Sequence, residues 1–309
     1  MGAASINMQS PLTKHCFIVD ADKALMRLDQ VIPLYIDEFS REQAKKFIQI
    51  GAVWINNKRV QIVSRKVNAG DEVTLYAGRH GYRTYYEINP HNILYADAHL
   101  LFYRKEPGIP TQPLHCDAYN NIYAGLLRYL KAVGKPAYAG MHHRLDMETS
   151  GAILFTLSKN SNRSIHYQFR DHKVHKSYLA LVNGMPQFDA ETLTTYINRQ
   201  GGKYTCSLLG PGKIAVTRFT TLQQYGNKAL VRAEPHTGRT HQIRLQLAFL
   251  GYPVLGDPLY GEGHTADILR TMLHAEQLTI IHPVSKEKLT IRAELFDDMR
   301  HLIGDAIMP

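Results

Sequence analysis

Cysteine is scarce in this chain. Three residues in 309, Cys16, Cys116 and Cys206, are odd in number and far apart, and they form no Cys-x-x-Cys pair, which argues against a disulfide framework and a zinc ribbon. Long hydrophobic runs are also missing: no stretch approaches the roughly 18 apolar residues that a membrane-spanning helix needs. The opening MGAASINMQSPLTKHCF lacks the charged and apolar regions of a signal peptide, and Ile6 stands where an N-myristoylation signal has Ser or Thr. A cytoplasmic chain that avoids membranes is expected. Histidine is plentiful at 16. Neither HKVH (His172, His175) nor HTGRTH (His236, His241) has metalloprotease or zinc-finger spacing, so no metal is expected. Internal repeats and low-complexity segments are lacking too.

What is present is an ordinary globular composition, 44% hydrophobic, in a chain long enough for two domains. Lys+Arg 36 against Asp+Glu 27 leaves a net charge of +9, which favours a polyanionic partner. In SREQAKKFIQIGAV (40–53), Ser40 and Gln43 have capping-box spacing, Ala44, Phe47 and Ile48 form an apolar stripe, and Gly51 supplies a stop. The pattern predicts a helix over about 41–50. The β-rich runs AVWI and RVQI follow, separated by NNK, where Asn accepts the positive φ of a hairpin turn. NAGD then turns into EVTLY. The polar side of this helix and hairpin carries Arg41, Lys45, Lys46, Lys58, Arg59, Arg65 and Lys66. By itself, such a set describes a solvated face.

Residues 77–90 show neither helical nor strand periodicity and read as a connection ending at Pro90. Beyond it the pattern changes. AILFTL, KSYLALV, IAVTRFTTLQ, KALVRAE and KLTIRAEL are strand-like, whereas SNRSIHYQFRDH and RTHQIRLQLAFLG are helix-like. Irregular alternation without βαβ units predicts an α+β chain. The expected organisation is an N-terminal extension (1–23), a small α/β domain (24–77), a linker (78–90) and a larger domain (91–309) on a mixed, largely antiparallel sheet with flanking helices.

Two resemblances rest on longer motifs. RLD (27–29), SREQAKKFIQIGAV (40–53), INNKRV (55–60) and VNAGDEV (67–73) resemble the small RNA-binding domain first known from ribosomal protein S-four. Pro33 in the first helix and Asn57 in place of the usual Gly depart from its pattern, the first implying a shortened or kinked helix. The resemblance implies that Arg41, Lys45, Lys46, Lys58 and Arg59 face RNA. HHRLDMETSG (142–151), KSYLALVNG (176–184) and PHTGRTHQIRLQLAFLGYPVLGDPLYG (235–261) resemble, in order and spacing, the signature blocks of the RluA family of RNA pseudouridine synthases. LLFYRKEPGIP (100–110) and MLHAEQLTIIHP (272–283) add to them. The resemblance implies isomerisation of uridine to pseudouridine without a cofactor, by a monomer acting on structured RNA. Large-subunit ribosomal RNA is the leading expectation and transfer RNA the alternative. It also implies that Asp146 is the catalytic carboxylate, that Tyr178 lies against the uracil, that Arg244 pairs with Asp146, and that Leu273 walls the pocket. Lys176 would be the basic residue beside the tyrosine. From the residues alone, Arg144, two positions from Asp146, is a second source of positive field if the local backbone is strand-like. Met147 and Glu148 replace the more usual Lys and Asp, and their side chains are expected to face substrate or solvent.

The residues alone leave more room. Asp146 could be a loop acid or cap, Tyr178 ordinary strand packing, and Arg244 a surface arginine at the edge of an apolar helix face formed by Ile243, Leu247 and Leu250. A binding protein with a decayed site remains open. So does a glycosidic hydrolase, which would need a second acid, with Glu148 the near candidate. What the chemistry requires is one ionised carboxylate in a pocket that excludes water. Burial would neutralise it, and a guanidinium would keep it charged.

Overall fold

The computed structural model describes residues 13–77, 85–201 and 203–303. Most of the expected N-terminal extension and residues 78–84 of the expected linker lie outside the described residues. The chain forms two compact units. The smaller runs through Ile88 and takes in Gln112–Lys135; the larger holds Asn89–Thr111 and the chain from Pro136 on.

In the smaller unit, β1 (Thr13–Ile18), α1 (Leu28–Tyr35), α2 (Arg41–Gln49), β2 (Val53–Ile55), β3 (Lys58–Val60) and β4 (Glu72–Ala77) build an antiparallel sheet in the order β1-β4-β2-β3, with two helices against it. Ser40 accepts from the Gln43 amide at 3.2 Å while the Gln43 side chain accepts from the Ser40 amide at 2.8 Å, which closes the capping box. Gly51 ends α2 with φ +77°. Pro33 lies inside α1, and that helix is only eight residues long, because proline offers no N–H to continue the ladder. Asn56 and Asn57 turn the β2–β3 hairpin with φ of 49° and 61°, a conformation asparagine accepts more readily than most side chains. Leu28, Val31, Ile32, Ala44, Ile48, Val53, Val73 and Leu75 form the core.

Two features depart from the expected domain bounds of 24–77 and 91–309. Strand β1 pairs with β4 along its whole length, from Thr13↔Ala77 to Ile18↔Glu72, and Phe17 stacks on Tyr35 at 4.3 Å. The sheet therefore begins well before residue 24. Residues 112–135 also join this unit: the Ala118 amide donates to Ile50 O at 2.8 Å, Trp54 Nε1 to His115 O at 3.1 Å and Arg59 Nη2 to Leu114 O at 2.6 Å. Their helix α3 (Ile122–Ala132), capped by Asn121, holds Gly125 where a Cβ would lie 2.9 Å from the Tyr86 ring.

The larger unit holds β5 (Ile93–Ala96), β6 (Leu100–Lys105), β7 (Gly140–Met141), β8 (Ser150–Thr156), α4 (Lys159–Arg170), β9 (His175–Asn183), β10 (Ala190–Gln200), β11 (Lys203–Ser207), β12 (Lys213–Tyr225), β13 (Lys228–Pro235), α5 (Gln242–Phe249), β14 (Leu273–Ile281), β15 (Lys288–Arg292) and α6 (Asp297–Ile303). The sheet order is β11-β10-β12-β13-β9-β14-β8-β6-β5, with β15 on β14 and β7 on β8. Among the described residues every pairing is antiparallel except β14 with β8, where only His274↔Ser150 and Ala275↔Gly151 face each other. Two half-sheets meet at this short parallel seam. Gly151 has φ +113°, and a Cβ there would lie 2.2 Å from Ala275 O, so glycine is required by backbone approach as well as by conformation. One half-sheet buries Leu100, Phe102, Leu154 and Ile165 together with Leu278 and Ile280. The other packs Leu179, Leu181, Phe219, Leu230 and Val231 against Ile243 and Leu247 of α5 and Met299 of α6.

Candidate active site

Asp146 lies in the irregular segment between β7 and β8, so its position depends on what holds the flanking backbone. Thr111 donates through Oγ1 to Leu145 O at 2.8 Å and accepts from the Leu145 amide at 3.2 Å. On the other side, the Gly108 amide donates to Met147 O at 2.8 Å. Met147 O also accepts from Lys105 Nζ at 2.9 Å. Lys105 is fully buried, and it donates further to Glu106 O and Ile109 O at 2.8 and 2.7 Å. Burial pushes this ammonium down to about 7, while three carbonyl acceptors match its three N–H donors. The turn is completed by the Thr149 amide on Asp146 O at 3.1 Å. The RKEPGIPT stretch thus clamps both peptide neighbours of Asp146.

The carboxylate itself meets an arginine. Arg244 Nη1 donates to Asp146 Oδ2 at 2.9 Å, with the two side chains 7% and 31% exposed. Arg244 is aimed by a second carboxylate: Nε and Nη2 donate to Asp257 Oδ2 and Oδ1, each at 2.7 Å. Asp257 is fully buried and also receives the Leu259 and Tyr260 amides at 2.9 and 3.2 Å. A bidentate pair of this kind fixes a guanidinium in direction as well as charge. Burial works against the charged form of Arg244, but Asp257 and Asp146 outweigh it and raise its pKa. Arg244 therefore departs from the edge-of-face position read from its helix. Helix α5 is buried on all sides over Gln242–Leu247, and its polar members are keyed to the sheet. Gln242 Nε2 donates to Thr217 Oγ1 at 2.8 Å and Gln246 Nε2 to Thr195 Oγ1 at 3.0 Å.

Tyr178 is half-buried on β9, opposite Ala233 of β13 and Ala275 of β14, and it packs on the apolar cluster that contains Leu273, the first residue of β14. Burial, and after it the charge of Asp146, pushes the Tyr178 phenol well above its ordinary value. Lys176, two residues earlier and so on the same face of β9, donates to Thr237 O at 2.9 Å; burial and then Arg239 bring it down to about 8. Arg144 is exposed, and 142–149 contains no regular strand. Its charge acts on His241.

Glu148 corrects the expectation that it faces substrate or solvent. Its Oε2 accepts from the Thr271 amide at 2.9 Å and from Thr271 Oγ1 at 2.7 Å, and His264 Nε2 lies 3.1 Å from Oε1. It is a strut from the Asp146 turn to the approach of β14. Next to it, Ser150 Oγ lies 2.9 Å from Nδ1 of buried His274, whose Nε2 lies 3.0 Å from Ala293 O. Since Ala293 O can only accept, Nε2 carries the proton and Nδ1 receives the Ser150 hydroxyl. Asp257, Lys105, Thr111 and Tyr260 are not marked as site residues by the sequence, although Asp257 and Tyr260 stand in the GDPLYG block and Lys105 in RKEPGIP, and His241 enters there only as a rejected metal candidate.

In the smaller unit the expected RNA-facing residues divide. Arg41 is exposed and its Nε donates at 2.8 Å to buried Asp29, which also receives Arg27 Nε at 2.8 Å. Burial raises the Asp29 carboxyl, but the two arginines win and hold it below the ordinary range. Lys45 pairs with Glu42. Lys46, Lys58, Arg65 and Lys66 are exposed. Arg59 is half-buried, with its guanidinium 4.7 Å over the Trp54 ring and committed to Leu114 O.

Comparison with known proteins places this geometry. The RNA pseudouridylate synthase family matches residues 99–249 and the S4 domain matches 26–73. Ribosomal large subunit pseudouridine synthase D of Zymomonas mobilis is 31% identical over 297 residues, covering 89% of this chain and 92% of the relative. Ribosomal large subunit pseudouridine synthase C of Escherichia coli K12 is 29% identical over 306 residues, covering 92% and 94%. Two solved human structures, RNA pseudouridylate synthase domain containing 4 and domain containing 1, superpose with a TM-score of 0.56 each at 25% and 26% identity. They cover 68% and 70% of this chain and 90% of their own. An alignment running nearly end to end, over a sheet shared with solved synthases, makes this chain a member of the RNA pseudouridine synthase family, of RluA type, with an S4 domain on its N-terminal side.

Proposed function

We propose that this protein isomerises uridine to pseudouridine in large-subunit ribosomal RNA, with Asp146 as the catalytic carboxylate. The observation that carries the reading is the 2.9 Å contact from Arg244 to Asp146 by a guanidinium already anchored on Asp257. In the reaction the bond from ribose C1′ to uracil N1 breaks, the base turns, C1′ bonds to C5, the C5 proton leaves and N1 gains one. Atoms are conserved and no oxidant is needed. Asp146 serves either by attacking the sugar or by taking a proton from it, and both roles need the ionised carboxylate that Arg244 favours.

The target base must leave its stack to reach a half-buried aspartate. Tyr178, protonated at neutral pH, offers a ring face to the extruded uracil, and Leu273 closes the apolar side. Stacking of about 1–3 kcal/mol on an aromatic ring offsets much of the few kcal/mol lost on unstacking. Arg144 and Lys176 supply positive charge where the RNA backbone passes. Arg41, Lys45, Lys46 and Lys58 hold RNA on the smaller unit, with Arg59 acting there mainly through its hold on the 112–121 segment. The protein is taken to act as a cytoplasmic monomer. The ribosomal substrate is inferred from the relatives' names, and transfer RNA is the alternative target.

Other chemistries fit less well. A hydrolase would need Glu148 as its second acid, yet that carboxylate is engaged by Thr271 and His264. A decayed binding protein would have no reason to retain the Arg244 bridge between two carboxylates. The test is direct. Purified protein converts uridine in ribosomal RNA without metal or nucleotide, and Asp146→Asn lowers conversion by about 1,000-fold or more while RNA affinity is kept. Undiminished conversion by that variant would sink the assignment, and free uracil among the products would move it to hydrolysis.

A further inference from the structure

His241 is the least comfortable residue near Asp146. It stands at the start of α5 with φ +54° and ψ 22°, a left-handed conformation that costs energy for a side chain other than glycine and persists where the surroundings enforce it. Its ring is held edge-on between Tyr204 and Tyr260, each at a centroid distance of 5.6 Å. Nδ1 lies 2.8 Å from Tyr260 Oη, and Nε2 faces Asp146 Oδ2 at 3.9 Å.

The proton positions follow from these contacts. Burial first, with the charge of Arg244 opposing it and those of Asp257 and Asp146 adding to it, pushes the Tyr260 phenol up to about 12. The hydroxyl therefore keeps its proton and is free to donate to Nδ1. Burial likewise lowers His241; Asp146 and Asp257 oppose this, and Arg244 and Arg144 add to it. The imidazole is neutral and carries one proton; because Asp146 Oδ2 can only accept while Tyr260 Oη can donate, the tautomer that suits both neighbours has its proton on Nε2 and Nδ1 accepting from Tyr260. That N–H points at the same oxygen that Arg244 already holds.

Resting on the proposed function, we infer that His241 is a positioning residue for Asp146. Held in its Nε2-protonated tautomer by Tyr260, it closes on Oδ2 when RNA fills the cleft and leaves Oδ1 as the oxygen that meets the sugar. Two donors on one oxygen fix the rotation of the carboxylate, which a single guanidinium contact does not.

The test separates donor from scaffold. His241→Asn tolerates the left-handed backbone but does not reach Asp146; its kcat on a ribosomal RNA substrate is expected to fall about 10- to 100-fold, with KM within about twofold. His241→Gln carries an amide N–H near the place of Nε2 and is expected to recover to within about fivefold of the parent. In ¹⁵N-histidine spectra of the intact protein, the signal lost in His241→Asn should report a proton on Nε2, and Tyr260→Phe should shift it toward a mixture of tautomers. Equal losses in Asn and Gln variants that melt like the parent would overturn the donor role, as would a proton on Nδ1. Failure of the parent protein to form pseudouridine in any RNA would instead strike the proposed function, and the tautomer measurement would stand apart from it.

Discussion

At the level of single residues, charge is held by pairing. Arg244 sits between two carboxylates in a nearly closed site, so removing it strands Asp257 without a counter-charge. Arg244→Met should lower unfolding free energy by about 3–5 kcal/mol, read from denaturant midpoints, in addition to abolishing conversion. A loss below about 1 kcal/mol would show that Asp257 finds another partner. Buried histidines set a second expectation. Burial pushes His274 down to about 4 and His143 to about 3, below the unfolded value of about 6.5. Between these values the unfolded chain binds protons that the folded one refuses, so stability rises with pH across this window. It is fully present above about pH 6.5 and lost as pH falls toward 4, on the order of 3 kcal/mol for His274 alone. Thermal melts at pH 7, 5.5 and 4.5 should fall steadily, and a flat series would contradict neutral burial. The pairing of Asp146 with Arg244 is legible at this scale because both stand in long motifs. Asp257 was harder to see because an acid in a Gly-Asp-Pro turn looks like a turn former until the arginine that needs it is in place.

Elements were legible where local pattern and burial agree. The capping box and Gly51 stop located α2 to within a residue, the two asparagines marked the β2–β3 hairpin, and the apolar run AILFTL marked a strand buried along its whole length. Patterns misled where tertiary packing overrides amphipathicity. Helix α5 buries Gln242 and Gln246 as hydrogen-bonding keys, so its apolar stripe placed Arg244 at an edge when it is inside. Helix α3 was hidden by Gly125 in its interior, a residue that admits the Tyr86 ring. The seam between β8 and β14 was invisible because its logic is a backbone approach with no side chain to announce it. Gly151→Ala should cost at least about 2 kcal/mol, from the positive φ and from the clash with Ala275 O. Conversion should fall further than stability alone explains, since the same residue stands second in the strand that follows Asp146. Parent-like melting and activity together would show that the seam can open without consequence.

At the level of the whole molecule, the net charge of +9 pointed to a polyanion, and the family supplies RNA. The smaller unit is assembled from two stretches of chain, so deleting its N-terminal stretch would strip the partners of Leu114, His115 and Ala118 along with any RNA contacts. Charge reversal tests the same surface more cleanly. Lys58→Glu, Arg65→Glu and Lys66→Glu together should lower the slope of log affinity against log salt by about 2, because each phosphate contact contributes about 0.7–0.9. Conversion of a short hairpin carrying only the target loop should be preserved. An unchanged slope on long RNA would remove this face from the binding surface.

The two-rung seam has one more effect. Asp146 arrives with the half-sheet of β8, whereas Tyr178, Leu273 and Arg244 arrive with the other, so the proposed site straddles a join of only two facing residue pairs. A small twist across that join would swing the acid relative to its partners much as a hinge moves the tips of a pair of tweezers. The struts from Glu148 to Thr271 and from Ser150 to His274 lie alongside the hinge. They tie the two half-sheets together there, and loosening either should lower conversion before it unfolds the protein.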